Sequence, residues 1–439
     1  MTHLGPEALR RVLGGAGGPQ EVESAAEHIV SCDQCRTLAS TLLDELRTER
    51  PDLRGEGPLQ LVFDLIDRES KWGVESLAAI TEWAELRRTS RRSQRDRVRM
   101  TKTCHTVAFF NLVVGEIEEA SSWDEAEFLG GLALLSTEGM SQREQITPAY
   151  SSDLQTRVWI ALANTRRLAA EWKRAHQALS NAERHRKEGT GDRLLEARLL
   201  SISASILNDE GQVSQAAAAL ERCRAIYEGS SEWALVARTL VKTADILVEL
   251  APDKGLEALD RAVPLIPTAD SNLTLLAELL RVRYLIDLQK PNEALHVYRR
   301  CSRLFIANPK VRLRIRGRFA GAQLLDALGH TQQAERLFNE VVDSDIEHEL
   351  YKDAFLDLLY LYSRHVKSGD LEKAERVCQR ALTDASLSAV AHEQLRALWT
   401  QLLEAAQRQA ISQDLLRDVR QYLNVHWKHP AGTPPVVLR

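Results

Sequence analysis

The stretch "EHIVSCDQC" sets His28, Cys32 and Cys35 at intervals of four and three residues, in a chain with six cysteines among 439 residues. Imidazole nitrogens and thiolate sulfurs are donors that hold Zn²⁺ tetrahedrally. His28 and Cys32 close a predicted helix and emerge on one face, and Cys35 follows one turn later at the start of the next. Three ligands leave one corner open. His3 is the only other histidine or cysteine before Cys104, and packing the first helix on the next two carries it to that corner. The predicted metal ligands are therefore His3, His28, Cys32 and Cys35. Four protein ligands close the shell against water and substrate, so the expected Zn²⁺ is structural. Oxidation of the thiolates would expel it and loosen the unit, so a redox-responsive site and a fixed staple both fit the sequence. A Cys-x2-Cys pair also serves as a redox dithiol, or as plain thiols at a helix start. Both of those readings leave the two histidines without a role.

The elements around this cluster are short. "GPEALRRVL" is a predicted helix with Pro6 in its first turn, "GGAGGP" breaks it, and "QEVESAAEHIVS" and "DQCRTLASTLLDELRTE" follow as two more. So small a unit has little core and gains from a metal staple. With its leucine cadence at Leu4, Leu9 and Leu13, with Ile29, and with Arg36 after the second cysteine, the His-x24-His-x3-Cys-x2-Cys spacing resembles the zinc-binding anti-sigma family. That resemblance covers about the first 50 residues. It implies a module that occludes a sigma factor of the extracytoplasmic-function type. In that setting the apolar helix "PLQLVFDLI" would lie in a groove of the partner through Leu61, Val62, Leu65 and Ile66. Burial of these four against the following helices is an equal alternative.

From about residue 150 the chain repeats itself. Each unit pairs one helix with a second that carries Ala-x3-bulky-x2-small. Aligning Ala175, Ala216, Ala258, Ala294, Ala334 and Ala374 gives steps of 41, 42, 36, 40 and 40 residues. Gly211, Gly329 and Gly369 each precede their alanine by five, where a helix–helix turn needs a permissive backbone. The stretch resembles tetratricopeptide repeats with longer than usual units. The expected fold is all-α: a small zinc-stapled helical domain followed by a tetratricopeptide-like superhelix. The expected domains are residues 1–50 (zinc unit), 51–149 (helical linker region), 150–390 (repeats), 391–427 (capping helices) and 428–439 (disordered tail).

Between Arg87 and Lys102 stand eight basic residues and one acidic, Asp96. Arg87, Arg88, Arg91, Arg92 and Arg95 are the candidates for contact with an acidic partner, against the plainer reading of a solvated helix face. No aromatic residue interleaves the run, and the net charge is −5, which argues against direct nucleic-acid binding. In "VRLRIRGRF", Arg312 with Arg316 and Arg314 with Arg318 mark two helix faces. Adjacent Cys104 and His105, and the thiols Cys223, Cys301 and Cys378 within the repeats, read as packed residues. No phosphate loop, nucleophile elbow or metalloprotease motif occurs. No secretory signal or membrane span is visible, so a cytoplasmic protein is expected, with no membrane partner. The expected function is a non-enzymatic regulator that sequesters a sigma factor, its repeats docking a further protein or peptide. The alternative is an interaction scaffold in which the zinc unit is only structural.

Overall fold

A computed structural model describes residues 5–13, 25, 32, 34–35, 37–39, 41–42, 75–120, 122–248, 251–408, 416, 418–420 and 422–423. Among these every regular element is a helix. His3, His28, Leu61, Val62, Leu65 and Ile66 lie outside the described residues, as does the segment 428–439. The chain divides into two compact units, Met1–Glu116 with Gly131–Gln145, and Ile117–Gly130 with Ile146–Arg439.

In the first unit, α1 spans Pro6–Leu13, with Pro6 at its first position as the sequence predicts. Residues 75–86 are helical, and α2 (Arg91–Met100) follows, capped by the Ser90 side chain on the Ser93 amide. A 3₁₀ turn over Lys102–Cys104 leads into α3 (Val107–Glu119), and α4 spans Trp123–Gln142, with the division between the units falling within both helices. Cys104 and His105 are both buried, as predicted. They sit in the 3₁₀ turn and its cap rather than within an α-helix. The His105 Nε2–H donates to the Val98 carbonyl at 2.7 Å. Gly139 of α4 lies against the imidazole, where no side chain would fit. Trp83 meets Phe109 edge-on at 6.2 Å.

In the second unit six pairs of antiparallel helices follow in sequence: α5 (Pro148–Leu168) with α6 (Trp172–Glu188), α7 (Arg193–Asp209) with α8 (Val213–Gly229), α9 (Trp233–Leu247) with α10 (Pro252–Ala262), α11 (Ser271–Asp287) with α12 (Pro291–Ile306), α13 (Val311–Ala327) with α14 (Thr331–Glu347), and α15 (Tyr351–Lys367) with α16 (Leu371–Thr383). A short α17 (Ala385–Val390) and α18 (Glu393–Gln407) close the stack, with Leu398, Trp399 and Leu402 buried against the last pair. This is the tetratricopeptide-like superhelix that the repeats imply.

The turns explain the regularity. Within five of the pairs one residue adopts a left-handed backbone: Ala170, Gly211, Gln289, Gly329 and Gly369. In each the next amide reaches back to close the helix, as Gln212 N–H does on Leu207 O at 2.8 Å and His330 N–H on Leu325 O at 2.9 Å. Glycine meets that geometry without strain, and Ala170 and Gln289 adopt it at some conformational cost.

The third repeat corrects the alignment. The recurring small position falls on the fourth residue of each second helix: Ala175, Ala216, Ala294, Ala334 and Ala374. In α10 that residue is Gly255, not Ala258. The steps become 41, 39, 39, 40 and 40, so the units are nearly equal. The sequence misleads here because Ala258 imitates the pattern. The tertiary reason for glycine is the Tyr284 ring, which occupies the place a Cβ would take.

Polar contacts repeat at the same period. Arg167 of α5 binds Asp209 of α7 at 2.6 Å, Lys242 of α9 donates to the Ser201 carbonyl of α7 at 2.5 Å, and Arg364 of α15 grips Asp326 of α13. Lys373 of α16 donates to Glu335 of α14 at 2.7 Å. Each ties one unit to the next, so the stack is held by nearest-neighbour contacts.

Candidate functional site

The first helices of the pairs, α5, α7, α9, α11, α13 and α15, form the inner layer. Its curvature shows in the charges. Lys352 of α15 feels Asp209 and Arg167, which sit four and five repeats away on α7 and α5. Lys242 of α9 feels Arg167, Asp209 and Asp245. Burial lowers both lysines below the usual amine range, Lys242 to about 8.

A cavity of about 260 Å³ opens in this layer between α11, α13 and α15. Leu276, Leu279, Ile315, Phe319 and Leu356 give it apolar walls. Arg312 and Arg316 line it, one turn apart on α13. Their neighbours on the other predicted face turn back into the stack: Arg318 pairs with Glu340 at 2.6 Å, and Arg314 donates to the Asn308 carbonyl at 2.7 Å. The two-face pattern was legible in sequence. Which face meets the groove is a matter of helix rotation within the superhelix.

The groove also holds residues that the sequence reading missed. Asp345, at the end of α14, is 1% exposed, and neither carboxylate oxygen meets a donor. Asp357 of α15 also lines the cavity, and the two carboxyl groups act on each other's protonation. Burial, reinforced by the Asp353 carboxylate, pushes Asp345 up to about 7, and burial with the Asp345 charge raises Asp357 well above the usual range. One sequence signal existed: Asp345 continues the buried stripe Ala334, Phe338, Val341 at helical spacing. An acid at that position marks either strain or a ligand.

A second, larger cavity of about 990 Å³ lies beside the first, bordered by Arg283, Asp287, Asp326, Tyr360 and Arg364. Tyr360 there meets Phe319 edge-on and Phe338 at a tilt, and Phe319 meets Phe338 edge-on, all within 5.4 Å.

Of the predicted zinc ligands, Cys32 is half-buried and Cys35 is buried. Residues 34–35 are helical and Cys32 is not, so the pair brackets a helix start. That half of the donor set suits zinc. The two imidazoles belong to undescribed residues, and among the described residues no group of three or more metal-ligating side chains converges. Arg87 lies over the Trp83 ring at 5.9 Å and pairs with Glu116 at 3.3 Å. Arg88, Arg91, Arg92 and Arg95 are exposed, the last three on α2. Arg97 turns inward instead, to Glu82 at 2.6 Å and Glu85 at 2.5 Å. Cys223, Cys301 and Cys378 are core thiols whose burial raises them, Cys301 to about 11. Among the described residues no helix is long and apolar enough to cross a membrane.

No family model matches the chain, and no curated protein is similar to it. Among solved structures, the crystal structure of Rap protein complexed with Competence and Sporulation Factor is similar at 14% identity and a TM-score of 0.42, over 69% of this chain and 98% of that one.

Proposed function

We propose that this protein is a non-enzymatic docking protein whose inner groove receives a segment of a partner protein. The supporting observation is the composition of the groove between α11, α13 and α15. Apolar walls and charges of both signs open on the concave layer, and such a surface holds a peptide by its side chains. A photo-crosslinker at Leu276 tests the reading, with one at the outer residue Asn292 as control. Crosslinks from Leu276 to a partner, lost when Leu279→Arg fills the groove and reproduced with the purified partner, support it. Crosslinks from Asn292 only overturn it.

A finer reading adds sigma-factor sequestration by the N-terminal unit. It is supported by the ligand spacing of His3, His28, Cys32 and Cys35 and by the helix-start position of the two thiols. Zn²⁺ bound there would supply a structural crosslink between the first helices. The exposed arginines Arg88, Arg91, Arg92 and Arg95 offer a surface for an acidic partner face. In this reading the purified chain inhibits transcription by a holoenzyme carrying an extracytoplasmic-function sigma factor. Full transcription at saturating protein would remove sequestration and leave the docking reading intact.

A further inference from the structure

We propose that the acid pair Asp345–Asp357 is a subsite for an arginine side chain of the docked segment. The inference rests on the docking reading above and gives its groove a chemical preference.

Asp345 is closed off from solvent, yet no N–H or O–H group of the protein serves either of its oxygens. A buried carboxylate left without donors is costly, and here it borders a cavity. Asp357, half-buried, lines the same cavity. The surrounding charges leave room for one more cation. Asp245 of α9, Asp345, Asp353 and Asp357 line the cavity against Arg283, Arg312 and Arg316. Arg312 is already committed to Asp353, at 2.7 and 2.8 Å. Arg316 acts on Asp357, and His348 just beyond α14 acts on Asp345, both from a distance.

The shape of the deficit selects the ligand. Two carboxyl groups with open acceptors call for several N–H donors in one plane, which a guanidinium presents as a fork. Its weak hydration lowers the cost of entering a cavity walled by Leu276, Leu279, Phe319 and Leu356, and its methylene stem covers those walls. An ammonium is compact and strongly hydrated, so lysine fits less well. A proton held on one of the two carboxyls now offsets part of their charge. When arginine binds, that proton passes from the carboxyl O–H to water, the two carboxylates accept from the guanidinium, and no other covalent bond changes. The raised proton affinity of the pair then makes binding stronger as pH rises.

The test titrates the full chain with N-acetyl-arginine amide, N-acetyl-lysine amide and the neutral isostere N-acetyl-citrulline amide, followed by saturation-transfer NMR. Arginine is expected to bind at least about tenfold more tightly than citrulline, the scale of one charge-assisted bidentate contact. Its affinity should rise from pH 6 to pH 8, by at most about tenfold per pH unit for one displaced proton. Asp345→Asn and Asp357→Asn should each remove both the arginine preference and the pH slope. Equal binding of arginine and citrulline, or a preference that survives both substitutions, overturns the subsite. Should either variant fail to fold, the pH slope of the unmodified chain decides, and a flat profile overturns it. Crosslinking from Leu276 without arginine selectivity would discard this subsite and keep the docking groove. Arginine selectivity without crosslinking would do the reverse.

Discussion

Tyr284 of α11 fills the space that a side chain at residue 255 of α10 would need, and its hydroxyl donates to the Ala244 carbonyl of α9. One aromatic residue thereby locks three helices, and glycine is imposed within a helix, where it costs about 1 kcal/mol relative to alanine. Gly255→Ala should therefore destabilise the repeats by about 1–3 kcal/mol, because overpacking outweighs the gain in propensity. Gly115 of α3 meets nothing within 4 Å at its Cβ position. Gly115→Ala should be neutral or stabilising by up to about 1 kcal/mol. Urea unfolding of the two variants checks both, and a stabilised Gly255→Ala would show that Tyr284 moves aside without cost.

Arg364 holds Asp326 in a two-point contact at 2.6 and 2.8 Å, with its guanidinium 6.0 Å from the Phe338 ring. Both partners are largely shielded from water. Arg364→Lys keeps the charge and loses the fork and the ring contact. A loss of about 1–2 kcal/mol is expected for it, and more for Arg364→Ala, which strands the carboxylate. Thermal unfolding of the single and double variants with Asp326→Asn measures the coupling, and additive effects would mean that the two side chains act independently.

Asp345 gives stability a pH dependence of defined sign. Its folded pKa, about 7, lies above the ordinary carboxylate value. Between about pH 4 and 7 the folded chain keeps a proton that the unfolded chain has lost, so this group lowers stability as pH rises through that window. Asp345→Asn removes the penalty. The variant should gain in melting temperature over the parent chain at pH 8 and lose that gain at pH 4. A gain of equal size at both pH values would show that the carboxyl is not held protonated.

Metal content addresses the N-terminal unit. The reading there expects one Zn²⁺ per chain, lost in Cys35→Ser and in His3→Ala. Stoichiometry unchanged by both substitutions removes that ligand set. Thiol titration supplies a second measure. Cys104, Cys223, Cys301 and Cys378 are at most 1% exposed, so chelation of the metal in the native chain should expose two reactive thiols, Cys32 and Cys35.

Periodicity by itself determined that the chain is helical, that residues from about 150 to 390 form repeated pairs, and that certain glycines mark turns. These properties are local: helical spacing, small residues at fixed offsets and left-handed caps all lie within one unit. The same locality let Arg312 and Arg316 be separated from Arg314 and Arg318. Tertiary structure decided what depends on neighbouring units. Gly255 replaces Ala258 in register because of a tyrosine on the next helix. Arg312 and Arg316, rather than their neighbours, face the groove because of how α13 is rotated against α11 and α15. Asp345 and Asp357, twelve residues apart on different helices, line one cavity as an interacting acid pair only when those helices pack. Spacing along a chain reports what one helix face can present, and only packing sets which faces meet and which carboxylate is left without a donor.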